Sequence, residues 1–215
     1  MNAVTSSGQE HSSLQQYYRL HAGIYDATRW SFLFGRKQAL ELVDGTPPTR
    51  ILEVGCGTGA NIEKLCRMFP RAEVTGVDLS APMLEQASAK TASCRDRVNL
   101  VHAPYNKPLS EGSRRFDLVV CSYSLSMFNP GWEEALQCAY DDLMTGGRIV
   151  VVDFLNTPFS WFGRWMRVNH VRMEAHLQPA LRKLFTPEVD CARRAYGGVW
   201  RYLTFVGRKT GEGVV

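Results

Sequence analysis

The chain contains 215 residues, of which 45% are hydrophobic and 21% are charged, and its formal net charge at pH 7 is +4. This length predicts one domain with a sizeable core, and the hydrophobic content is ordinary for a soluble globular protein. No apolar run approaches the roughly 18 residues that a membrane-spanning helix needs, so the sequence predicts no such helix.

The chain begins with a polar stretch, residues 1–13, that lacks the apolar segment of a secretion signal. We expect this stretch to be a disordered tail. None of the six cysteines forms a C-x-x-C pair, so we expect no zinc site and reduced thiols in the cytoplasm. These cysteines are Cys56, Cys66, Cys94, Cys121, Cys138 and Cys191.

Residues 14–48 are rich in aromatic and basic side chains, as in YYRLHAGIYDATRWSFLFGRK. The spacing of Leu20, Ile24 and Ala27 predicts a helix at the start, and Gly35 is suited to a turn. We therefore predict an N-terminal helical segment here, followed by the main domain at 49–215.

From residue 50 onward, short apolar runs alternate with amphipathic helical patterns. Ser80 is a favourable N-cap for one of the helices, and Pro82 lies in its first turn. This alternation predicts a parallel sheet with right-handed crossovers and helices on both faces. The predicted strands are 50–54, 72–79, 97–103, 115–125 and 145–154, and the predicted helices are 58–69, 80–90 and 132–144.

The end of the chain departs from this alternation. Residues 189–209 contain two strand-like runs joined by Gly197 and Gly198, which is a hairpin signal. The sequence therefore predicts an α/β fold whose mostly parallel, seven-stranded sheet ends in an antiparallel hairpin. Such an ending is not usual for a dinucleotide-binding fold.

The stretch ILEVGCGTGA places glycines directly after a buried strand, at the sheet edge where ligands of such folds bind. Gly55, Gly57 and Ala60 fit the dinucleotide pattern G-x-G-x-x-G/A. Glu53 with Gly55, Gly57 and Gly59 also gives E-x-G-x-G-x-G, a pattern that does not require a phosphate. The glycines alone leave both cofactors open.

The charge of Glu53 favours the second interpretation. An unscreened carboxylate beside a pyrophosphate costs on the order of several kcal/mol, whereas the ammonium group of S-adenosylmethionine would attract it. Asp78 ends the second strand, about 20 residues beyond the glycines, where an acid accepts hydrogen bonds from ribose hydroxyls. Because NAD and S-adenosylmethionine both contain that ribose, Asp78 does not discriminate between them.

The motifs ILEVGCGTG, VTGVDLS and the glycine pair before RIVVVDF resemble the class I S-adenosylmethionine-dependent methyltransferases, over roughly residues 50–208. The resemblance implies a Rossmann-like fold, with Glu53 and the glycine turn around the methionine half of the cofactor and Asp78 on its ribose. Leu79 and Met83 would flank the adenine. Further cofactor contacts are predicted for Cys56 and Ser122, and no metal is expected.

One position departs from the family pattern. Many members carry an acid after the third strand to hold the adenine amino group, whereas this sequence reads VHAP there. We predict that the backbone of Ala103 holds the adenine, with His102 stacking on it or accepting a hydrogen bond.

In many class I enzymes a segment like 14–48 covers the cofactor pocket as a lid. We predict that Tyr25 lines the site and acts in catalysis together with Tyr123. Cofactor contacts are predicted for Tyr18 and Arg29 in the same segment.

The acceptor is suggested by a narrower resemblance. The segment SYSLSMF after the fourth strand lacks the N/D-P-P-Y/F run of many enzymes that methylate nucleobases or amides, so nucleobase methylation is disfavoured. IYDATRWSFLFGR, SYSLSMF and VVVDF are similar to bacterial enzymes that methylate the amino headgroup of diacylglyceryl homoserine to make betaine lipids, relatives of phosphatidylethanolamine N-methyltransferases. This resemblance implies an amine acceptor in a lipid headgroup.

A lipid acceptor requires contact with a membrane surface. Residues 157–176 interleave aromatic side chains such as Trp161 and Trp165 with Arg164, Arg167 and others, which is typical of an interfacial helix. The basic excess lies in the same part of the chain, with ten Lys/Arg against four Asp/Glu in residues 156–215. An ordinary helix with its aromatic side chains in the core remains open, and no nucleic-acid partner is expected.

The sequence predicts an S-adenosylmethionine-dependent methyltransferase in the cytoplasm, associated with the inner membrane surface if its acceptor is a lipid. Three alternatives stay open: methylation of a soluble metabolite at nitrogen or oxygen, transfer of the aminocarboxypropyl group of the same cofactor, and a non-catalytic cofactor-binding subunit. The oligomeric state is not predicted.

Overall fold

The computed structural model describes residues 33–43, 45–110, 112 and 114–211. The predicted tail, residues 1–13, and residues 14–32 of the predicted lid lie outside the described residues. Tyr18, Tyr25 and Arg29 are therefore not placed by the structure, and their predicted roles stay predictions.

The described chain is built around one seven-stranded sheet with the order β3-β2-β1-β4-β5-β7-β6. The first five strands are parallel, and β7 is antiparallel to both β5 and β6. The predicted parallel sheet ending in a hairpin is confirmed. The strands are β1 Arg50–Val54, β2 Glu73–Asp78, β3 Val98–His102, β4 Phe116–Ser122, β5 Leu143–Asn156, β6 Thr186–Ala195 and β7 Trp200–Arg208.

Helices cover both faces of the sheet, as predicted. Helices α1, α2, α3 and α5 contribute buried side chains to the core on one face, and α4 and α6 contribute to the core on the other. The helices are α1 Arg36–Glu41, α2 Ala60–Met68, α3 Ala81–Lys90, α4 Trp132–Asp142, α5 Ser160–Val168 and α6 Leu177–Leu184.

The register of the parallel strands brings their carboxyl ends to one edge of the sheet. Val54 at the end of β1 pairs with Val77, and Asp78 at the end of β2 pairs with His102 at the end of β3. Strand β4 ends at Ser122 beside β1 and β5. The residues predicted at strand ends therefore gather where a ligand binds in such folds.

The predicted interfacial helix over 157–176 is wrong in its extent. Helix α5 ends at Val168, and His170 has a positive φ of 60°. The chain then returns to the body of the protein, where the amide of Arg172 donates to the carbonyl oxygen of Ser126 at 2.8 Å. A separate helix, α6, follows at 177–184, and the sequence did not predict it.

All six cysteines are free thiols. None of the helices in the described part of the chain has both the length and the hydropathy that a membrane span requires. In the same part of the chain, no group of three His, Cys, Asp or Glu residues is arranged to hold a metal ion.

Candidate functional site

The glycine turn between β1 and α2 is held by its backbone. Gly55, Gly57 and Gly59 have positive φ angles of 68°, 53° and 76°, which L-residues rarely adopt. The amides of Gly55 and Cys56 donate to the carbonyl oxygen of Val77 at 2.9 and 3.1 Å. The turn is thereby fixed to the end of β2.

The three glycines differ in what a side chain would meet. A Cβ at Gly55 would lie 2.6 Å from the Cβ of Ser124, and one at Gly59 would lie 2.9 Å from the Cβ of Ala87. A Cβ at Gly57 would meet no described atom within 4 Å. Gly55 and Gly59 are therefore needed for packing, whereas Gly57 leaves open space beside the turn.

That space is a cavity of about 230 Å³ at the carboxyl edge of the sheet. The sequence predicted five of its lining residues: Gly55, Cys56, Gly57, Met83 and Ser122. It did not predict the others, which come from the start of α1 and the turn before it, from the glycine turn, from the start of α2 and from the end of α3. These are Leu33, Arg36, Thr58, Ala60 and Lys90.

Glu53 lies at the end of β1 beside the turn and is 1% exposed. One carboxylate oxygen, Oε1, accepts a hydrogen bond from the side-chain amide of Asn61 at 2.8 Å. The other, Oε2, is buried without a well-formed hydrogen bond from the described residues. A buried carboxylate with one oxygen left over is suited to a positively charged ligand group.

Burial raises the pKa of Glu53 from 4.5 to about 7. The positive charge of Arg36 and hydrogen bonding from the Asn61 side chain and the Ile62 backbone act in the opposite direction, and the charge of Asp78 adds to the rise. A cationic group bound nearby would favour the ionised carboxylate and lower this pKa.

Asp78 ends β2 and contacts both sides of the site. Its Oδ2 accepts a hydrogen bond from the amide of Gly57 at 2.8 Å, and its Oδ1 accepts one from the amide of Ser80 at 2.9 Å. Each carboxylate oxygen retains a second lone pair, so ribose hydroxyls can still donate to it. Ser80 occupies the N-cap position of α3 as predicted, but its side chain makes no capping hydrogen bond.

The residues predicted around the adenine have mixed environments. Met83 is buried and lines the cavity, whereas Leu79 is 48% exposed. His102 is exposed, and its Nε2 lies 2.9 Å from the carbonyl oxygen of Leu79. The amide of Ala103 donates to the carbonyl oxygen of Asp78 at 3.2 Å, so the predicted adenine contact of the Ala103 backbone would fall to its carbonyl oxygen and stays a prediction.

Tyr123 follows Ser122 with a positive φ of 54°, and its side chain is 1% exposed. Its hydroxyl donates to the carbonyl oxygen of Phe34 at 2.8 Å. Burial, followed by the charge of Asp153, raises the pKa of Tyr123 above its usual range. This geometry gives the hydroxyl a structural contact, and its predicted catalytic role stays a prediction.

Two further predicted contacts differ in character. The Ser122 hydroxyl is buried without a hydrogen-bond partner among the described residues, on the wall of the cavity. The Cys56 thiol is also buried, and burial with the charge of Glu53 raises its pKa far above the usual range. Cys56 therefore lines the cavity and is not suited to act as a nucleophile.

These residues fit S-adenosylmethionine better than a dinucleotide. The open space at Gly57 allows a ligand to approach the backbone closely, and the buried Oε2 of Glu53 suits an ammonium group. A pyrophosphate in the same place would face a buried carboxylate of like charge.

Comparison with known protein families agrees with this geometry. Residues 51–147 match the model of a family described as a methyltransferase domain. The chain is 35% identical to malonyl-[acyl-carrier protein] O-methyltransferase of Priestia megaterium over 51% of this chain and 38% of that protein. It is 34% identical to demethylmenaquinone methyltransferase of Thermus thermophilus over 64% of this chain and 62% of that protein.

The matched region spans less than two thirds of the length of these curated relatives. A further relative, trans-aconitate 2-methyltransferase of Pseudomonas paraeruginosa, is 43% identical over 34% of this chain and 27% of that protein. None of these relatives is named for a betaine-lipid acceptor, so the narrower resemblance stays a prediction.

Solved structures show that the whole described fold is shared with methyltransferases. The 1,6-didemethyltoxoflavin-N1-methyltransferase of Burkholderia thailandensis, solved with S-adenosylhomocysteine, superposes with a TM-score of 0.70 at 20% identity, covering 98% of this chain and 93% of that one. The N-methyltransferase NodS of Bradyrhizobium japonicum, also with S-adenosylhomocysteine, gives 0.67 at 19% identity, covering 81% and 85%.

Proposed function

We propose that the chain binds S-adenosylmethionine and transfers its methyl group to an amine acceptor, because residues 51–147 match a methyltransferase-domain family and the fold is shared with methyltransferases. An amino headgroup of a membrane lipid, of the betaine-lipid or phosphatidylethanolamine type, is the acceptor class that we favour. The observation that carries the cofactor assignment is the buried, half-satisfied carboxylate of Glu53 beside the open space at Gly57.

In this proposal Glu53 faces the amino group of the methionine half, and the glycine turn lies against the same half. Asp78 accepts hydrogen bonds from the ribose, and Met83 and Leu79 flank the adenine. The cofactor supplies a methyl group activated by a positively charged sulfur. The chain positions the cofactor and the acceptor with the help of a buried carboxylate, and it excludes water from the site. Positioning and exclusion of water are the main requirements for an in-line methyl transfer.

An amine acceptor has to reach the methyl group in its neutral form, so a nearby base would assist it. Tyr25 remains the residue that we propose for this role. Tyr123 is a weaker candidate, because its hydroxyl is buried and donates to Phe34. The aromatic side chains predicted in the lid would favour the cationic product through cation–π contacts.

Helix α5 supports a membrane-facing surface. Trp161 and Trp165 are 65% and 48% exposed, whereas Phe162 and Met166 on the same helix are buried in the core. One face of α5 thus anchors the helix and the other offers tryptophan side chains, which prefer the interface between water and lipid. Arg164 adds positive charge on this helix, while Arg167 forms an ion pair with Glu174 at 3.6 Å.

The proposal is tested by incubating the purified full chain with methyl-labelled S-adenosylmethionine and either a bacterial lipid extract or a matched extract of water-soluble metabolites. We expect label in an amine-containing lipid. Label only in a soluble product would replace the lipid acceptor by a small metabolite. Label released as 5′-methylthioadenosine, with none in the acceptor, would change the reaction type to aminocarboxypropyl transfer. No label in either extract and none in methylthioadenosine, despite measurable cofactor binding, would support a non-catalytic subunit.

A further inference from the structure

A second cavity lies at the same edge of the sheet, beyond the cofactor site. Its volume is about 420 Å³, and it is formed where β5 ends and where the β6–β7 hairpin turns. Its lining residues are Asn156, Thr157, Pro158, Arg194, Gly197, Gly198 and Arg201. The two arginines make the lining of this cavity positively charged, and the glycine turn leaves it without bulky side chains on one side.

The two arginines are direct cross-strand partners. Arg194 on β6 pairs with Arg201 on β7, and Arg201 also pairs with Asn156 on β5. Partners in a sheet project from the same face, so both guanidinium groups share one surface. Like charges placed opposite each other destabilise a sheet, and no ion pair joins either arginine to an acid in the part of the chain that the structure describes.

The other end of β7 carries an arginine pair that is neutralised. Arg148 on β5 and Arg208 on β7 are also direct cross-strand partners. Glu188 lies between them, with carboxylate–guanidinium distances of 2.7 Å to Arg148 and 2.5 Å to Arg208. Strand β7 thus takes part in two cross-strand arginine pairs, one with β6 and one with β5, and the described chain provides an ion-paired acid only for the pair with β5.

The hairpin turn shapes the second cavity. Tyr196, Gly197 and Gly198 have consecutive positive φ angles of 45°, 66° and 110°. A Cβ at Gly197 would meet no described atom within 4 Å. The other wall is fixed because the Thr157 hydroxyl donates to the carbonyl oxygen of Val199 at 2.7 Å.

The second cavity is joined to the cofactor site by two adjacent residues. Leu33 lines the cofactor cavity. The ring of Phe34 packs at 5.0 Å from the ring of Tyr196 in the hairpin turn, and its carbonyl oxygen accepts the Tyr123 hydroxyl. The segment that borders the cofactor cavity therefore also packs on the hairpin turn that forms one side of the second cavity.

We propose that Arg194 and Arg201 bind an oxyanion, phosphate or carboxylate, that belongs to the acceptor. Guanidinium groups bind both anions through paired, charge-assisted hydrogen bonds. This inference rests on the proposed function, and it narrows the acceptor to an amine that also carries an acidic group. Such an acceptor is either a lipid headgroup or a soluble amino compound with a phosphate or carboxylate.

The test does not depend on methyl transfer. Thermal unfolding of the full chain is followed with increasing inorganic phosphate, and separately with O-phosphoethanolamine, at constant ionic strength. Saturable binding raises the unfolding temperature. We expect binding to be about tenfold weaker or more in R194Q/R201Q, while R193Q, which removes one positive charge from the residue next to Arg194, leaves it unchanged.

Vesicles separate the two sources of the anion. Flotation with phosphatidylcholine vesicles, with and without phosphatidylglycerol, is compared for the same three proteins. If R194Q/R201Q loses flotation but still binds soluble phosphate, the site is assigned to a lipid headgroup. If it loses soluble phosphate binding but still floats, the site is assigned to a soluble acceptor.

The proposal is overturned if R194Q/R201Q matches the wild type in both assays, or if R193Q loses as much as the double variant. A second pair of results also overturns the proposal: the wild type does not bind phosphate, and the double variant unfolds at a markedly lower temperature than the wild type. An acidic side chain of the protein would then already pair with the two arginines. The single variant R194Q provides the same comparison if the double variant does not fold. Titration with S-adenosylmethionine, which is expected to be unchanged in R194Q, keeps failure of this proposal distinct from failure of the methyltransferase assignment.

Discussion

The carboxylate of Asp78 accepts a hydrogen bond from the amide of Gly57 at 2.8 Å. Asp78, which is predicted to bind the ribose, therefore also stabilises the glycine turn. Through its other oxygen, Asp78 holds the amide of Ser80 at the start of α3. One side chain thus fixes the two segments between which the cofactor would lie.

Asp78→Ala should therefore weaken S-adenosylmethionine binding by about 1–3 kcal/mol or somewhat more, because it removes charged hydrogen bonds to the ribose and also loosens the turn. Calorimetric titration measures the loss. Asp96→Ala, at an exposed position outside the site, is the control. Affinity equal to that of the wild type would show that the ribose does not bind at Asp78.

Gly57→Val should abolish cofactor binding while the protein stays folded. The added side chain would project into the open space of the cavity rather than into protein, although a positive φ adds strain. Gly112→Val is a matched control, since Gly112 has a similar φ of 57° and also meets no described atom within 4 Å. Circular dichroism confirms folding. Normal binding by Gly57→Val would contradict the role of the turn.

Glu53→Gln should remove a pH dependence of the free energy of unfolding. The pKa of Glu53 is raised from 4.5 to about 7 in the folded protein, so folding binds a proton in this range and stability falls as the pH rises from 4.5 to 7. Above pH 7 the buried charge costs on the order of 1–3 kcal/mol. Urea unfolding of the cofactor-free protein should show Glu53→Gln more stable than the wild type at pH 8 and similar to it near pH 5. A less stable variant at pH 8 would contradict this sign.

Cofactor binding should release a proton from Glu53 at pH values below 7. A bound ammonium group favours the ionised carboxylate, so wild-type affinity should rise between pH 5.5 and 7, which is about the window set by this pKa. Titration calorimetry in two buffers with different ionisation enthalpies measures the proton. Glu53→Gln should bind more weakly and without this proton release. Equal proton release in the variant would assign the proton to another group.

Tyr123→Phe distinguishes a structural hydroxyl from a catalytic one. We expect a loss of about 1 kcal/mol in the free energy of unfolding, because the carbonyl oxygen of Phe34 loses its donor. A rate loss of about 100-fold with unchanged stability would instead make Tyr123 a catalytic residue, as the sequence predicted. Tyr105→Phe, whose hydroxyl also has a buried partner, Asp142, is a control outside the site.

Replacing Trp161 and Trp165 by serine should abolish flotation with anionic vesicles, since both side chains are exposed and buried packing of α5 rests on Phe162 and Met166. Met144→Ser, at another exposed apolar position, should leave flotation unchanged. If the tryptophan variant still floats with the vesicles, α5 is not the part of the protein that binds the membrane surface.

The sequence predicted those parts of the molecule that depend on local patterns. The apolar runs predicted the strands. The glycines, Glu53 and Asp78 predicted the cofactor-binding turn, because these residues lie at the ends of the first two strands. Arg36 and Leu33 could not be placed in this way. They reach the cavity because the Tyr123 hydroxyl binds the carbonyl oxygen of Phe34, 89 residues away.

Two other differences have similar causes. The pattern at 157–176 suggested one amphipathic helix, but tertiary contacts of Arg172 and Ala175 with the sheet edge and its loops end it early. The backbone of Ala103 was predicted to hold the adenine, and the structure shows that its amide donates to the carbonyl oxygen of Asp78, which leaves the carbonyl oxygen for that predicted role. Periodicity does not report which backbone donors a neighbouring strand will use.

The most direct test of the central claim is calorimetric titration of the full chain with S-adenosylmethionine and, separately, with NAD. We predict saturable one-to-one binding of S-adenosylmethionine, weakened in Glu53→Gln, and no binding of NAD at the same concentrations. Binding of NAD without S-adenosylmethionine, or equal affinity for S-adenosylmethionine in Glu53→Gln, would contradict a site built on a buried carboxylate that receives an ammonium group.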